Sequence, residues 1–152
     1  MDVSKRVKIQ DHFNKLYFEW EKILYPKGRK TEPAIIKVIF GCKTSGFWVS
    51  QNLILIYITG FDIEYYEGLA GIPDIYSELR GLHVNEIELL HEMLHEMQYK
   101  ELTEASVEGK ELYKTNKTRF SGPGHDELFF SAVVLAAKIL GHDPELLVKE
   151  LL

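Results

Sequence analysis

The spacing of apolar residues at the start of the chain predicts a long helix. Apolar side chains recur there mostly at intervals of three and four, which places them on one face of a helix. They are Val7, Phe13, Leu16, Tyr17, Trp20 and Leu24. We therefore expect a helix over residues 4–25, ended by the segment Pro26-Lys27-Gly28-Arg29, whose proline and glycine interrupt the pattern.

Three short apolar runs follow, over residues 34–40, 47–49 and 53–59. The first and third are rich in β-branched residues, and glycine or polar residues separate the runs, which favours strands over helix segments. We expect a small three-stranded sheet, at least partly antiparallel, covered on one face by helices.

The second half of the chain has the periodicity of helices. Residues 60–81 are predicted to be a loop with one short helix near residues 74–79, because glycines and Pro73 interrupt the pattern. Residues 84–99 are strongly helical in pattern, and Asn85, with Glu88 three positions later, is the expected N-cap.

Two further helices are expected beyond a polar, lysine-rich segment. Within residues 100–124, residues 105–113 have the pattern of one or two helical turns. A long helix is predicted over residues 125–140, between the sequence Gly122-Pro123-Gly124 and Gly141. Asp143 and Pro144 then begin a short C-terminal helix.

The predicted helix over residues 84–99 carries the motif His-Glu-x-x-His. His91 and His95 are four positions apart, so they lie on one helical face and can bind one Zn²⁺. Glu92 projects beside them and can take a proton from zinc-activated water. A helical wheel places both histidines at the edge of the apolar stripe and puts Glu96 further round than Glu92, so Glu92 is the better candidate base.

A third ligand is available at the start of the next long helix. His125 directly follows the Gly-Pro-Gly sequence, whose tight turn can direct the imidazole towards His91 and His95. Three histidines and a water would complete a tetrahedral catalytic site. Asp126 and Glu127 are the alternative third ligands, although acidic residues are also favoured at a helix N-terminus for electrostatic reasons.

Catalysis of peptide hydrolysis needs further groups that the motif does not supply. Candidates for stabilising an oxyanion or contacting the substrate are Tyr99, Tyr113 and Arg119. An exposed strand edge, for which we consider residues 53–58, could hold an extended peptide by strand addition.

Composition restricts the class of protein. The chain has 152 residues, so a single domain is expected. Cys42 is the only cysteine, which excludes an internal disulfide and a four-cysteine zinc site. No apolar run approaches the roughly 20 residues of a membrane span, and the N-terminus carries mixed charge. We expect a cytoplasmic protein without membrane association. The net charge of −5 argues against a protein whose whole surface binds nucleic acid.

The two histidine motifs together resemble the SprT-like, or Spartan-like, zinc metallopeptidases. The resemblance is carried by His91-Glu92-Met93-Leu94-His95 and His125-Asp126-Glu127-Leu128-Phe129, with residues 45–50 and 52–55 similar to the strand pair upstream of the motif. This chain has Asp126 where the family usually has glycine. With a single cysteine in these 152 residues, we expect no cysteine-rich zinc ribbon of the kind that helps many members bind DNA.

The resemblance implies an α+β, zincin-like (minigluzincin) fold. It would comprise an N-terminal helix, a three-stranded sheet, the H-E-x-x-H helix and a second ligand-bearing helix, forming one SprT-like domain over residues 1–152. It also implies a gluzincin-type metalloprotease with one Zn²⁺ per chain on His91, His95 and His125, and Glu92 as general base. The substrate would be a protein or peptide, and DNA association is a further possible partner interaction.

Two other functions are compatible with the same motif. One is a different metal-dependent hydrolase, such as an RNase-like enzyme, with a basic groove from Lys110, Lys114, Lys117 and Arg119. The other is a non-catalytic interaction module that zinc stabilises. Glu92 argues against the second alternative, because a purely structural zinc site has no use for a base.

Overall fold

A computed structural model describes residues 3–60, 62–67, 71–77, 79–120 and 122–151. Its α-helices are α1 (Val3–Leu24), α2 (Ile63–Glu67), α3 (Val84–Lys100), α4 (Val107–Asn116), α5 (Glu127–Leu140) and α6 (Pro144–Glu150). Its strands are β1 (Ile35–Phe40), β2 (Gly46–Trp48) and β3 (Leu53–Ile58). Short 3₁₀ turns span Val49–Gln51 and Leu79–Gly81. The mixed α+β class expected from the pattern is confirmed. Within the described residues, no helix is both long enough and apolar enough to cross a membrane.

The three strands form a mixed sheet in the order β1-β3-β2. β1 runs parallel to β3, while β2 pairs with β3 in the antiparallel direction, so the expectation of a partly antiparallel sheet is confirmed. β3 is the central strand, and Ile54, Ile56 and Ile58 on its inner face are fully buried. The prediction that residues 53–58 form an exposed edge is therefore wrong, since both sides of β3 are already paired.

Helix α1 packs against the sheet and also shields one of its edges. Its buried residues are Ile9, Phe13, Leu16, Tyr17, Trp20 and Leu24. The side-chain amide of Gln10 donates to the Ile36 carbonyl at 2.8 Å and accepts from the Val38 N–H at 2.9 Å. Gln10 thus occupies hydrogen-bonding groups on the outer side of β1. The outer side of β2 remains as the edge without such a partner among the described residues.

The segment between β3 and α3 differs from the prediction. A helix near residues 74–79 was expected, but the structure has α2 earlier and the 3₁₀ turn Leu79–Gly81 at the end. The carboxylate of Asp74 accepts from the Tyr76 N–H at 2.8 Å and from the Ser77 hydroxyl at 2.9 Å. Such local bonds compete with helical ones and favour a turn. Residues 61, 68–70 and 78 of the predicted loop lie outside the described residues.

The start of α3 also differs from the prediction. The N-cap is His83 and not Asn85, which lies in the first turn of the helix. His83 Nδ1 accepts from the Asn85 N–H at 3.3 Å, and the Glu86 carboxylate accepts from the His83 N–H at 2.9 Å. These two bonds form a capping box. Histidine is not among the favoured capping residues, so propensity pointed to the asparagine two positions later.

Helices α4, α5 and α6 form the rest of the core. α4 extends to Asn116, further than the expected turn or two, and α5 packs against α3, α4 and α6. α5 begins at Glu127 with Asp126 as its N-cap, so His125 precedes the helix and does not lie in its first turn. As predicted, Gly141 ends α5 with a φ of +70° and Asp143 caps α6.

Candidate metal and catalytic site

Three imidazoles from separate parts of the sequence converge between α3 and the start of α5. His91 and His95 lie on α3, and His125 lies on the segment just before α5. The Nε2 atom of His91 is 3.0 Å from that of His125 and 3.2 Å from that of His95, and the remaining pair is 3.2 Å apart. Among the described residues, these three side chains form the only group of three or more potential metal ligands with atoms within 4.8 Å of one another.

The separations fit a single small metal ion. Two nitrogens bound to zinc at about 2.0–2.1 Å with tetrahedral angles are about 3.3 Å apart. The three Nε2 separations of 3.0–3.2 Å lie close to this value. The donor type also fits, because neutral imidazole is a common zinc ligand.

Hydrogen bonds fix the tautomer of His95. Its Nδ1 is 2.7 Å from the Oε1 atom of Gln98. The Gln98 amide nitrogen donates to the Gly124 carbonyl and to the Asp126 carboxylate, both at 2.8 Å, so Oε1 is the atom that faces His95. His95 therefore donates through Nδ1, and its Nε2 presents a lone pair to the other imidazoles.

The surroundings of His91 favour the same tautomer as in His95. Its Nδ1 faces the Leu151 carbonyl at 3.4 Å, a weaker contact that also favours a proton on Nδ1. With both Nδ1 atoms protonated, the Nε2 lone pairs of His91 and His95 would face each other at 3.2 Å. Two lone pairs at this distance repel each other, and a bound cation is the simplest group that would make the arrangement favourable.

All three imidazoles are biased towards the neutral form. Burial, assisted by the neighbouring histidines, lowers the pKa of His91 to about 3. Burial likewise lowers the pKa of His95 to about 4, and it lowers the pKa of His125. The Gly122 backbone opposes the shift at His125, although His125 Nδ1 makes no well-aligned hydrogen bond within the described residues. Neutral imidazole is the form that binds metals.

Aromatic rings enclose the histidines on the core side. The ring of Phe129 stacks on His95 with centroids 4.5 Å apart and lies 4.9 Å from His125. Phe120 lies 5.0 Å from His125 and 5.9 Å from His91. Neither Phe120 nor Gln98 was identified from the sequence as part of this site. The sequence signals that could have indicated them were the isolation of Phe120 in a polar segment and the place of Gln98 three positions after His95.

The turn before His125 needs glycine for two reasons. Gly124 has a φ of +94°, which other residues rarely adopt. A Cβ at this position would lie 3.0 Å from the Tyr99 hydroxyl oxygen and 3.5 Å from the imidazole of His95. The absence of a side chain at Gly124 therefore helps the backbone before His125 to approach α3 closely.

Glu92 lies beside the histidines in an enclosed position. Its side chain lines a cavity of about 220 Å³ together with His91 and Glu88. Only 6% of Glu92 is exposed, yet it makes no hydrogen bond or ion pair within the described residues. Burial, and to a smaller extent the nearby Glu88, raise the pKa of Glu92 to about 8. A cation on the histidines would oppose this shift.

Glu96 belongs to a buried ionic cluster on another side of α3. It is fully buried, and its carboxylate binds Arg29 and Lys100, each at 2.7 Å. The Tyr17 hydroxyl donates to the same carboxylate at 2.8 Å. The helical wheel shows only that Glu96 lies outside the apolar stripe and cannot show whether another element covers it. In the structure, α1 and the segment that contains Arg29 cover it with charged and polar partners.

The two acidic alternatives to His125 as third ligand, Asp126 and Glu127, lie outside the group of close ligand atoms. The Asp126 carboxylate accepts from the Phe129 N–H at 3.0 Å and from Gln98, so it caps α5 and holds the amide that orients His95. Glu127 is the first residue of α5, and neither acid belongs to the group of close ligand atoms.

The three predicted oxyanion or substrate residues lie in different surroundings. Tyr99 is half-exposed, and its ring is parallel to those of His95 and of Phe47 on β2. Tyr113 packs against Phe130 where α4 meets α5. Arg119 is exposed. Within the described residues, only Tyr99 of these three contacts an imidazole of the cluster.

Comparison with known proteins identifies no relative of this chain. No family model, no curated protein and no solved structure matches it. The SprT-like resemblance and the zincin-like fold therefore stay predictions, and the conclusions on chemistry depend on the site itself.

Proposed function

We propose that the protein is a zinc-dependent endopeptidase. The observation that carries the proposal is the convergence of three imidazole Nε2 atoms within 3.0–3.2 Å of one another, beside the buried carboxylate of Glu92. His91, His95 and His125 would hold the metal. When bound, zinc supplies a Lewis acid that polarises a carbonyl and makes water more acidic.

Glu92 is the proposed general base. Its carboxylate is largely buried, has no hydrogen-bond or ion-pair partner within the described residues, and lies beside the potential metal ligands. On the cavity wall it can accept a proton from an attacking water and return it to the leaving amine. This argument favours an enzyme over an interaction module in which zinc has only a structural role.

The outer edge of β2 is the proposed site for an extended peptide. The β2 edge takes the place of residues 53–58 as the proposed binding edge, because those residues form β3, the central strand of the sheet. Phe47 of β2 is close to Tyr99 of α3, and Ser45 just before β2 donates to Glu88 of α3 at 2.9 Å. A peptide strand added to β2 would therefore lie close to the helix that carries His91 and His95. Tyr99 is the preferred oxyanion donor, because it borders both β2 and His95.

The alternative of an RNase-like hydrolase gains no support from a specific observation. Lys114 pairs with Glu111 on the surface of α4 at 3.4 Å. Within the described residues, no contact joins Lys110, Lys117 or Arg119 to the three histidines. A DNA-binding groove formed by these basic residues likewise gains no support. We therefore propose a protein or peptide as substrate.

The substitution Glu92→Gln tests the proposal. After zinc reconstitution, cleavage of an unfolded protein should fall by a factor of about 100 or more, while the zinc content stays at that of the wild type. Removing zinc with a chelator should abolish cleavage, and adding zinc back should restore it. Equal cleavage by the wild type and the Glu92→Gln variant would refute the mechanism. Absence of zinc after reconstitution would refute the metal site.

A further inference from the structure

The cavity beside the three histidines extends beyond the groups that the proposed chemistry uses. Its volume is about 220 Å³, and His91 and Glu92 form only part of its lining. The remaining lining includes the apolar side chains of Val84 and Ile87 and the carboxylate of Glu88, which lies one helical turn before Glu92. Neither the metal ligands nor the general base explain why an acidic residue lies here.

The Glu88 carboxylate is held in place but is not neutralised. The Ser45 hydroxyl accepts from the Tyr57 N–H at 3.0 Å and donates to Glu88 at 2.9 Å. This bond from Ser45 is the only hydrogen bond of the Glu88 side chain within the described residues, and no lysine or arginine there forms an ion pair with it. An ionised Glu88 carboxylate gives the cavity a negative potential that its apolar walls intensify.

The size of the cavity matches one amino-acid side chain. Small-molecule sites are typically about 300–1,000 Å³, whereas one water occupies roughly 30 Å³ of the liquid. A cavity of about 220 Å³ lies between these values. A long cationic side chain would place its methylene groups against Val84 and Ile87 and its charged end against Glu88. A neutral side chain would lose the charged contact, and an acidic one would be repelled.

We propose that this cavity binds a lysine or arginine side chain of the substrate next to the scissile bond, and that Glu88 determines this specificity. The inference rests on the proposed function, because the cavity shares His91 and Glu92 with the candidate catalytic site. It goes beyond that function by naming the substrate as a peptide with a basic residue beside the cleaved bond.

A pair of matched peptides tests the proposal by binding, without any need for catalysis. The peptides are identical except for one lysine, which the second replaces with norleucine, an uncharged side chain of the same methylene length. We expect zinc-loaded Glu92→Gln protein to bind the lysine peptide at least about tenfold more tightly in fluorescence anisotropy. Adding Glu88→Gln should bring the ratio close to one. At equal peptide concentration, the methyl NMR shifts of Ile87 and Val84 should change more with the lysine peptide than with the norleucine peptide.

Two further variants make the test specific. Glu19→Gln changes an exposed carboxylate on α1 that pairs with Lys22, and it should leave the ratio unchanged. Val84→Lys adds a cation to the cavity lining without altering Glu88, and it should lower the ratio even if Glu88→Gln folds poorly. Equal binding of both peptides, or a ratio that survives Glu88→Gln, would overturn the proposal.

Cleavage by the zinc-loaded wild type separates this inference from the proposed function. Preferential cleavage beside lysine that Glu88→Gln removes would support both. Cleavage without a preference for basic residues would overturn the role of Glu88 and leave the peptidase proposal standing. Selective binding of the lysine peptide without cleavage of any peptide would support the cavity assignment and count against the peptidase.

Discussion

Gln98 controls the orientation of one candidate metal ligand although it does not touch the metal position itself. It is 1% exposed, accepts from His95 and donates to Gly124 and Asp126. Gln98→Met keeps the size and helical preference of the side chain but removes its hydrogen bonds. We expect zinc affinity to fall by about 10- to 100-fold, the usual effect of losing a group that orients a ligand.

Competition with a chromophoric chelator would measure the zinc affinity of the Gln98 variant. Gln51→Met, on the exposed 3₁₀ turn before β3, is the matched control and should leave the affinity unchanged. An unaltered affinity in Gln98→Met would show that His95 does not depend on this amide for its tautomer.

The choice of third ligand leads to a second prediction at the scale of single residues. His125→Ala should lower zinc affinity far more than Glu127→Ala, because His125 Nε2 is within 3.2 Å of both other Nε2 atoms and Glu127 is outside the cluster. Asp126→Ala should have an intermediate effect. It removes the cap of α5, worth about 1 kcal/mol, and frees Gln98.

Isothermal titration with zinc would rank the three variants. A crystal structure with Glu127 on the metal and His125 in solvent would reverse the assignment. An effect of Asp126→Ala as large as that of His125→Ala would contradict the expected ranking of the two residues.

At the scale of elements, a buried ionic group connects α1 and α3. Glu96 of α3 binds Arg29 and accepts from Tyr17 of α1, and Arg29 also pairs with Glu21 of α1 at 2.8 Å. Glu96→Ala would leave Arg29 buried without its main partner. Breaking such a pair from one side typically costs about 3–5 kcal/mol of the free energy of unfolding.

Urea unfolding would measure this cost. Glu111→Ala is the control, because Glu111 is 67% exposed and, among the residues that the structure describes, forms an ion pair only with the equally exposed Lys114. Its effect should stay within about 0.5 kcal/mol. A Glu96→Ala variant as stable as the wild type would show that the charges contribute nothing net to the packing of α1 on α3.

Helix α3 shows how far the sequence could predict the structure. Helical and strand periodicity located α1, α3, α5 and the three strands, because each buries an apolar face that the spacing reveals. Periodicity could not reveal that Glu96 is buried, since that depends on partners 67 and 79 positions away in sequence. The order of the strands likewise depends on long-range contacts. The cap at His83 depends on a residue type that rarely caps helices.

For the candidate site, the sequence predicted more of the ligands than of their surroundings. The spacing of His91 and His95 requires only that α3 is a helix, and the turn before His125 brings the third histidine to it. Phe120, Gln98 and the cavity at Glu88 depend on how α5 and β2 pack against α3, which no local pattern specifies.

At the scale of the whole molecule, the three histidines connect parts of the chain that also meet through packing and through the hydrogen bonds of Gln98. His91 and His95 belong to α3, which contacts the sheet, and His125 belongs to the segment before α5, which packs against α3, α4 and α6. A metal held by all three would join these two halves of the core. Metal binding should therefore stabilise the folded protein as a whole.

Thermal unfolding with and without zinc gives the last prediction. A ligand that binds only the folded state at 100 times its Kd adds about 2.7 kcal/mol of stability. For a chain of this size each kcal/mol raises the Tm by about 2–4 °C, so we expect an increase of about 5–10 °C. His125→Ala should lose most of this increase, while Glu92→Gln should keep it, because Glu92 is a proposed base and not a ligand. Mg²⁺, which prefers oxygen ligands, should have little effect. An equal zinc effect on the wild type and His125→Ala would mean that zinc stabilises the fold from another site.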